Sequence, residues 1–275
     1  MKEAFDVAVL SAVDGEVEGL LPLLEEARSL EALDRSFLAG KVRGKKVLAG
    51  SGGLGKVNGA VTAAALLQRF SIREVWHVGC AGAYREGGLS KGDVLVSREV
   101  LCGDEGVLTR QGPSSCQTIG IPILDRNGRT YYDRVPVDEG ILERVRRWTP
   151  DGGYRLLSSG DLEAVSCREK REAEDAFRLA FGPALTVGMA SGDEEIARQR
   201  FSLHGALAEN MEGSGVAQAC FRSSVPLVEC RGIANMAGDR RKENWDFSKA
   251  MRHCHAVVRF WLKRAAGPPG FFRRR

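Results

Sequence analysis

The chain has 275 residues, of which 43% are hydrophobic and 28% are charged, and its formal net charge is +4 at pH 7. This is the composition of an ordinary soluble globular protein, and a chain of this length buries enough surface to fold without a metal or a disulfide. The seven cysteines are odd in number and show no C-x-x-C spacing. That pattern argues against a disulfide framework or a zinc ribbon and favours a reducing compartment.

The two ends of the chain set the expected domain limits. The first apolar run, in MKEAFDVAVLSAV, is too short for a signal peptide and ends at Asp14, so we predict a first strand. The ending FFRRR follows Gly-Pro-Pro-Gly and holds much of the excess positive charge. We therefore predict one domain over residues 1–266 and a basic flexible tail over 267–275.

Charge and hydropathy also exclude two kinds of partner. No stretch approaches the roughly 20 apolar residues of a membrane helix, so we expect a cytoplasmic protein that does not contact the membrane. Nucleic-acid binding would require basic residues clustered on a structured face with aromatic residues between them, and the sequence has no such cluster.

The order of apolar and amphipathic segments predicts the fold class. Apolar runs at residues 7–10, 46–49 and 75–78 alternate with amphipathic stretches at 16–30 and 57–70. This alternation is typical of an α/β fold.

The second half of the chain continues this pattern after one interruption. Runs at 94–96, 185–187 and 226–230 predict further strands, and residues 245–263 predict a closing helix with Asn244 as its N-cap. Between residues 104 and 136 the pattern is lost. A loop of that length inside a compact domain is usually functional or disordered.

A glycine-rich segment, AGSGGLGKVNGA, contains both G-x-G-x-x-G and G-x-x-x-x-G-K. A dinucleotide site would need an acidic residue at the far end of the next strand, which here ends in glycine and cysteine. A P-loop would need a hydroxyl residue where this chain has Val57. The glycines still allow close backbone approach at a helix start, to a phosphate, a sugar or another protein segment.

Two later runs place a carboxylate and an amide at the ends of adjacent hydrophobic segments. They are AENMEGSGVAQAC at 208–220, with Glu212, and VECRGIANMAG at 228–238, with Asn235. A carboxylate can accept hydrogen bonds from two neighbouring sugar hydroxyls, and an amide offers a donor and an acceptor to a heterocycle edge. The pair therefore suits a nucleoside pocket.

Five motifs, in this order and spacing, resemble the purine nucleoside phosphorylase and nucleosidase family over nearly the whole chain. They are SGGLGKVNGA at 51–60, VGCAGAY at 78–84, GDVLVS at 92–97, ENMEG at 209–213 and RGIAN at 231–235. DEGV at 104–107, the segment at 119–138 and the asparagine of RGIAN resemble the futalosine hydrolase branch of that family.

The resemblance implies a three-layer αβα sandwich with a mixed central β-sheet, of the nucleoside phosphorylase type. It further implies a homo-oligomer, a dimer or higher, that cleaves the N-ribosidic bond of a small nucleoside without a metal or an organic cofactor. In such enzymes the residue matching Glu16 activates water. The substrate-binding residues implied by the same motifs are Cys80, Ala81, Gly82, Asn210 and Met211.

The residues themselves favour water over phosphate as the nucleophile. Phosphorylases of this family hold phosphate with an arginine and a hydroxyl residue, and here the corresponding positions are His77 and Cys80, neither a fixed phosphate clamp at neutral pH. The first turn carries Asp14 and Glu16, and a carboxylate there would repel phosphate while deprotonating water. The alternative for Glu16 is an acid favoured by a helix N-terminus.

Asn235 bears on the choice of base. Nucleosidases that act on 6-aminopurines carry aspartate at this position, whereas an amide can hydrogen-bond N7 and a 6-oxo group together, which suits hypoxanthine. An asparagine there can also simply cap a turn. Met211 either packs on the ribose face or fills the core, and Trp245 and Phe247 either stack near the base or form a buried helix start.

The expected reaction is hydrolysis of futalosine in menaquinone biosynthesis, with Glu212 holding the ribose hydroxyls and stabilising a transition state of oxocarbenium character. The alternatives are a purine nucleoside phosphorylase, another nucleosidase of the methylthioadenosine or aminodeoxyfutalosine type, and a non-catalytic nucleoside-binding protein. Futalosine carries a benzoate on its 5′ side, and we expect an arginine of the 104–136 segment to bind it. The candidates are Arg110, Arg126, Arg129 and Arg134. Asp104 and Glu105 have no role derivable from the sequence.

Overall fold

The computed structural model describes residues 2–110, 112–159, 161–166 and 175–265. Its strands are β1 (Ala4–Ser11), β2 (Glu25–Ala32), β3 (Arg35–Val42), β4 (Lys45–Ser51), β5 (Ser71–Ala83), β6 (Val94–Cys102), β7 (Gly106–Thr109), β8 (Gly112–Ser115), β9 (Leu124–Arg126), β10 (Arg129–Tyr131), β11 (Arg134–Pro136), β12 (Gly152–Leu156), β13 (Leu162–Val165), β14 (Ala176–Thr186), β15 (Ala208–Asn210) and β16 (Leu227–Met236). The helices are α1 (Lys56–Arg69), α2 (Glu139–Trp148), α3 (Glu194–His204), α4 (Gly213–Ser223) and α5 (Phe247–Ala265).

One mixed sheet organises the described residues. Its strand order is β13-β12-β14-β6-β16-β5-β1-β4-β3-β2, with β11 paired to β6 and β15 joining β14 and β5. The sheet is flanked by helices, since α1 packs against α4 while α5 packs against β16 and β5 and contacts α2. The predicted sandwich with a mixed central sheet is confirmed.

The centre of the sheet is formed by parallel strands that are buried on both sides. β1 runs parallel to both β4 and β5, with Val9 opposite Ala49 on one side and Trp76 on the other. β16 is parallel to β5. A strand covered on both faces reads as a continuous apolar run, as the sequence of β1 does. The carboxyl ends of β1, β4, β5 and β16 therefore meet at one edge of the sheet.

The predicted amphipathic helix over residues 16–30 is wrong. Two short 3-10 helices, Asp14–Glu16 and Glu18–Leu23, are followed directly by β2. Pro22 lies inside the second of them, and a proline can neither donate the helical hydrogen bond nor avoid a clash with the preceding turn. The strands at 7–10, 46–49 and 75–78 and the helix at 57–70 are confirmed, each with longer or slightly shifted limits.

The closing helix begins later than predicted, and Asn244 is not its N-cap. Asn244 ends a 3-10 turn, and its amide donates to Asp239 Oδ2 at 2.7 Å. Asp246 instead precedes the helix, and its Oδ1 accepts from the amide of Lys249 at 2.9 Å. Asparagine and aspartate are comparable N-caps, so the local sequence could not choose between them.

Where the sequence pattern is lost, short strands take its place. β7 pairs with β8, β9 pairs with β10, and β11 joins the main sheet through β6. Three- and four-residue strands are too short to give a readable alternation. Residues 267–275, predicted as a flexible tail, lie outside the described residues. None of the helices that the structure describes is long and apolar enough to cross a membrane.

Candidate active site

Glu16 lies in the first turn after β1, where three backbone amides hold its carboxylate. Oε2 accepts from Ala12 at 3.0 Å and from Val13 at 3.3 Å, and Oε1 accepts from Cys80 at 2.8 Å. The side chain is 3% exposed. The backbone carbonyl of Glu16 in turn accepts from His255 Nε2 at 2.8 Å. The turn is thus fixed to both β5 and α5, and the carboxylate has one orientation.

Glu212 lies at the start of α4, on the opposite side of the same sheet edge. Its Oε1 accepts from the amide of Gly55 at 3.0 Å. Gly55 has φ of +96°, a conformation that favours glycine. The amides of Gly52 and Gly53 donate to the carbonyls of Ser11 and Ala12. The glycine-rich segment thus packs on the end of β1 and offers an amide to Glu212.

Arg231 is a third charged residue of the site, and its role was not predicted from the sequence. Its side chain is fully buried, and Nε and Nη2 donate to Glu229 Oε1 at 3.0 and 2.8 Å. Nη2 also lies 2.9 Å from His77 Nδ1. Nη1 lies 3.7 Å from Glu212 Oε2 and has no hydrogen-bond partner in the part of the chain that the structure describes. An arginine inside the apolar run of β16 was the available signal, because buried arginines are rare unless paired.

The two carboxylates and the free Nη1 converge beside Gly79. A Cβ on Gly79 would collide with Arg231 Nη1 and would lie 2.8 Å from Glu16 Oε1. Because Nη1 is also close to Glu212 Oε2, the three charged groups meet at this point. A glycine is required there because the first carbon of any side chain would collide with the guanidinium.

The network around Arg231 sets the charge of the site. Burial by itself would raise the pKa of Glu229, but the Arg231 guanidinium and the hydrogen bonds with His77 and Ser97 together outweigh it and lower that pKa to about 2. Ser97 Oγ donates to the same carboxylate at 2.6 Å. Burial, and then the positive charge of Arg231, lower the pKa of His77. Glu229 is therefore ionised and His77 neutral near pH 7, so one carboxylate offsets the arginine.

Asn210 is close to the site but is engaged within the protein. Its Oδ1 accepts from the amides of Glu212 at 3.1 Å and Gly213 at 2.8 Å, and its Nδ2 donates to Glu229 Oε1 at 3.3 Å. These bonds make it the side chain that positions the start of α4 and hence Glu212. A direct contact between Asn210 and substrate stays a prediction. Met211, the next residue, is half-buried.

Asn235, on β16, lies opposite the carboxyl end of the neighbouring strand β5. Asn235 is opposite Gly82, next to an irregularity in the β16 register, and its Nδ2 donates to Met236 O at 2.9 Å. Ala81 is buried and Cys80 half-buried. Burial, and then the charge of Glu16, raise the pKa of the Cys80 thiol, so it stays protonated. The structure therefore brings the predicted site residues of β5, β15 and β16 to one edge.

Trp245 and Phe247 do not form a buried helix start. Trp245 is half-buried, and its Nε1 donates to Asp239 O at 2.9 Å, while Phe247 is 39% exposed. His253 Nδ1 and His255 Nε2 are bonded to backbone carbonyls, which gives both rings a structural role. In the part of the chain that the structure describes, no three His, Cys, Asp or Glu side chains are grouped to hold a metal ion.

Asp104 and Glu105 have a structural role. Lys56 Nζ pairs with Asp104 and, at 2.8 Å, with Glu105 Oε1. Asp104 Oδ2 also accepts from the amide of Gly188 at 2.5 Å. These acids join the loop after β6 to the start of α1 and to the loop after β14. The start of α1 also contains the Gly55 amide that holds Glu212.

The phosphorylase superfamily model matches residues 6–262. The chain belongs to this superfamily. It is 31% identical over 255 residues to a futalosine hydrolase of Thermus thermophilus, covering 91% of this chain and 98% of the relative. It is 29% identical over 240 residues to a 5'-methylthioadenosine/S-adenosylhomocysteine nucleosidase of Mycobacterium tuberculosis, covering 86% and 87%.

Solved structures of the superfamily show the same fold. A 5'-methylthioadenosine/S-adenosylhomocysteine nucleosidase of Colwellia psychrerythraea, in complex with adenine, superposes with a TM-score of 0.73 at 22% identity, over 95% of this chain and 96% of that one. A futalosine hydrolase of Helicobacter pylori gives 0.71 at 16% identity, over 95% and 98%. This member of the superfamily is an enzyme of the nucleosidase type, an N-glycosyl hydrolase.

Proposed function

We propose that this enzyme hydrolyses the N-ribosidic bond of futalosine and releases hypoxanthine, in menaquinone biosynthesis. The observation that carries the proposal is the meeting of Glu16, Glu212 and the Nη1 atom of Arg231 beside Gly79. The similarity to the Thermus futalosine hydrolase supports this substrate. The similarity to nucleosidases named for 5'-methylthioadenosine makes a 6-aminopurine nucleoside the main alternative.

Water is the proposed nucleophile. Glu16 Oε1 accepts one amide hydrogen, which leaves a lone pair for a water molecule, and a positioned carboxylate can take the proton as water attacks the anomeric carbon. Arg231 supports hydrolysis rather than phosphorolysis, because Nε and Nη2 are bound to Glu229 and, among the described residues, only Nη1 is left without a partner. A single NH2 group is not the two-nitrogen fork that grips phosphate. The neutral His77 adds no positive charge.

Glu212 is proposed to bind the ribose. Its Oε1 is held by Gly55, and Oε2 makes only a 3.7 Å approach to Arg231, so Oε2 has capacity for sugar hydroxyls. A buried carboxylate near the sugar also stabilises the positive charge that develops as the glycosidic bond breaks. Met211 is proposed to pack on the ribose face, and Cys80, Ala81 and Gly82 to line the pocket.

Asn235 is proposed to bind the leaving base. One hydrogen of its amide is used by Met236 O, which fixes the side chain and leaves one N–H and the carbonyl oxygen. A 6-oxopurine offers acceptors at O6 and N7, and the free N–H suits either of them. Donation there stabilises the charge that the base acquires as it leaves.

The deciding experiment is a product assay in phosphate-free buffer. Purified enzyme is incubated with futalosine, inosine and 5'-methylthioadenosine, and the products are separated by chromatography. We expect free hypoxanthine and an intact ribose-bearing product from futalosine, with the highest kcat/KM of the three substrates. Strict phosphate dependence, or release of a ribose 1-phosphate, would contradict hydrolysis. Preferred release of adenine would reject the 6-oxopurine assignment. Substrate binding without turnover would indicate a binding protein.

A further inference from the structure

The loop between β16 and α5, residues 237–246, borders Asn235 at both of its ends. At its start, Ala237 donates its amide to Ala83 O at 2.8 Å. At its end, the amide of Asp246 returns to Ala234 O, also at 2.8 Å. Side chains on this loop are therefore held next to the site without being part of the buried network.

Two of these side chains form a cation–aromatic pair. The Arg240 guanidinium lies over the Trp245 ring, with Cζ 4.7 Å from the ring centroid. The hydrogen bond from Trp245 Nε1 to Asp239 O fixes the ring. A fixed indole therefore holds an exposed guanidinium in one place, which lowers the cost of ordering it when an anion binds.

Among the residues that the structure describes, Arg240 has no counter-ion, unlike its neighbour Arg241. Arg241 binds Asp239 through both Nε, at 3.0 Å, and Nη2, at 2.9 Å, and Asn244 donates to the same carboxylate. Asp239 is thus saturated by other donors. Among the described residues, no carboxylate oxygen lies within 4 Å of the Arg240 guanidinium. Its donors are free for a ligand.

We infer that Arg240 and Trp245 form the subsite for the aromatic carboxylate at the 5′ end of the substrate, an assignment that rests on the proposed futalosine specificity. The indole offers a flat apolar surface to the 5′ substituent of the substrate. The guanidinium offers two parallel N–H groups, the geometry that suits a carboxylate. Arg240 is then a specificity residue that touches the substrate away from the reacting atoms.

Two of the arginines expected to serve this purpose are engaged elsewhere. Arg126 bonds to Ser224 and lies over Phe221, at the far end of α4. The 11 residues of that helix put it about 16 Å from the end that carries Glu212. Arg134 is paired with Glu99 and Asp133, each at 3.1 Å.

The test compares futalosine with its methyl ester, which has the same arm without the negative charge. The ratio of kcat/KM for acid over ester is measured in the unaltered enzyme, Arg240→Ala and the matched control Arg241→Ala. We expect Arg240→Ala to lower this ratio on the order of tenfold, the effect of losing one charge-assisted contact. Arg241→Ala should keep the ratio, because that side chain is already bound to Asp239. The ratio for Arg240→Lys should lie between those of the unaltered enzyme and Arg240→Ala, since lysine keeps the positive charge but lacks the two parallel N–H groups.

An unchanged ratio in Arg240→Ala would overturn the inference. A lower ratio in Arg110→Ala or Arg129→Ala instead would place the subsite in the 104–136 segment.

Failure of the proposed function gives a different result. If futalosine is not cleaved, the acid and the ester are measured as competitive inhibitors of whichever nucleoside is hydrolysed. A preference for the acid that Arg240→Ala removes would still support the subsite, and equal inhibition by both compounds would reject it.

Discussion

At the scale of single residues, the two site glutamates differ in how their oxygens are used. Glu16 accepts three backbone amides and is fixed on both oxygens. Glu212 accepts one amide through Oε1, and its Oε2 faces Arg231. A carboxylate with both oxygens held suits the orientation of a single water, whereas one with a free oxygen suits the binding of hydroxyl groups. The same residue type therefore supports two roles through its hydrogen bonds.

Replacing Glu16 by Gln tests the first role. In either orientation of the glutamine side chain, its NH2 group would face a backbone N–H. The general base would also be lost, so we expect turnover to fall on the order of 100-fold or more. The measurement is kcat, together with a thermal melt to confirm that the variant is folded. Asp14→Asn is the matched control, because Asp14 is in the same turn but its carboxylate accepts from Ser51. Near-normal turnover in a folded Glu16→Gln enzyme would leave Glu16 with a capping role alone.

Replacing Asn235 by Asp tests the role of Asn235 in base recognition. A carboxylate would face both Met236 O and the O6 of the base, and an unmet buried acceptor costs about 1 to 3 kcal/mol, or roughly 5- to 150-fold. We expect the ratio of kcat/KM for inosine over adenosine to fall by a factor in that range. An unchanged ratio would remove Asn235 from base recognition.

At the scale of elements, the site depends on how helices and turns begin. Asn210 caps the start of α4 with its Oδ1 and so places Glu212, while Gly55 at the start of α1 donates to the same carboxylate. The two helices pack against each other, so the carboxylate is held between two N-termini. Partial positive charge at a helix N-terminus favours an anion there.

The start of α5 gives a prediction at this scale. Asp246→Ala removes the N-cap oxygen that accepts from Lys249, and we expect the free energy of unfolding to fall by about 1 kcal/mol. Asn244→Ala, at the position that the sequence favoured, should cost less, because its bond to Asp239 lies outside the helix. Urea unfolding of both variants without ligand makes the comparison. A larger loss of unfolding free energy in Asn244→Ala than in Asp246→Ala would mean that Asn244 is the N-cap.

At the scale of the whole molecule, all four histidines resist protonation. Burial is the main cause that lowers the pKa of His77, His204, His253 and His255. The unfolded chain then binds more protons than the folded one just below pH 6.5, so the free energy of unfolding falls as the pH falls. Each such histidine contributes a slope of up to roughly 1.4 kcal/mol per pH unit in that window.

We therefore expect the urea midpoint to decrease from pH 7.5 to pH 5.5 at constant ionic strength. This window lies above the titration of ordinary carboxylates, so the histidines dominate it. A midpoint that stays constant, or rises, would mean that the folded state accepts these protons.

Assembly is the second property at this scale, and we propose a homo-oligomer. Several large apolar side chains are exposed within a few residues, along the chain, of Lys56, Asp104 or Gly188, which are joined by the contacts of Asp104. They are Leu54, Val57, Val61, Leu108 and Met189. Exposed apolar patches mark interaction sites. Val57→Glu should reduce the mass measured by light scattering, and Leu33→Glu, in the turn between β2 and β3, should not. A monomeric unaltered protein would reject the proposal.

The α/β class, the core strands and the motifs that carry the site were predictable from the sequence, because continuous apolar runs and a 3.6-residue period are local signals. The sequence also singled out Glu16, Glu212 and Asn235 as residues whose chemistry suits a nucleoside. Roles for Cys80 to Gly82, Asn210 and Met211 came from the resemblance to the family. The edge strands β2, β3, β12 and β13 were not predicted, since exposed strands lack a clear apolar alternation.

How these residues meet depends on contacts between distant segments of the chain. The use of Arg231, the engagement of Asn210 in capping and the pairing of Lys56 with Asp104 all join segments far apart in the chain. The helix predicted over 16–30 failed for the same reason, because pairing with β3 outweighed a local amphipathic period. A hydrogen bond or an ion pair between distant segments depends on their distance in space, and local sequence does not encode that distance.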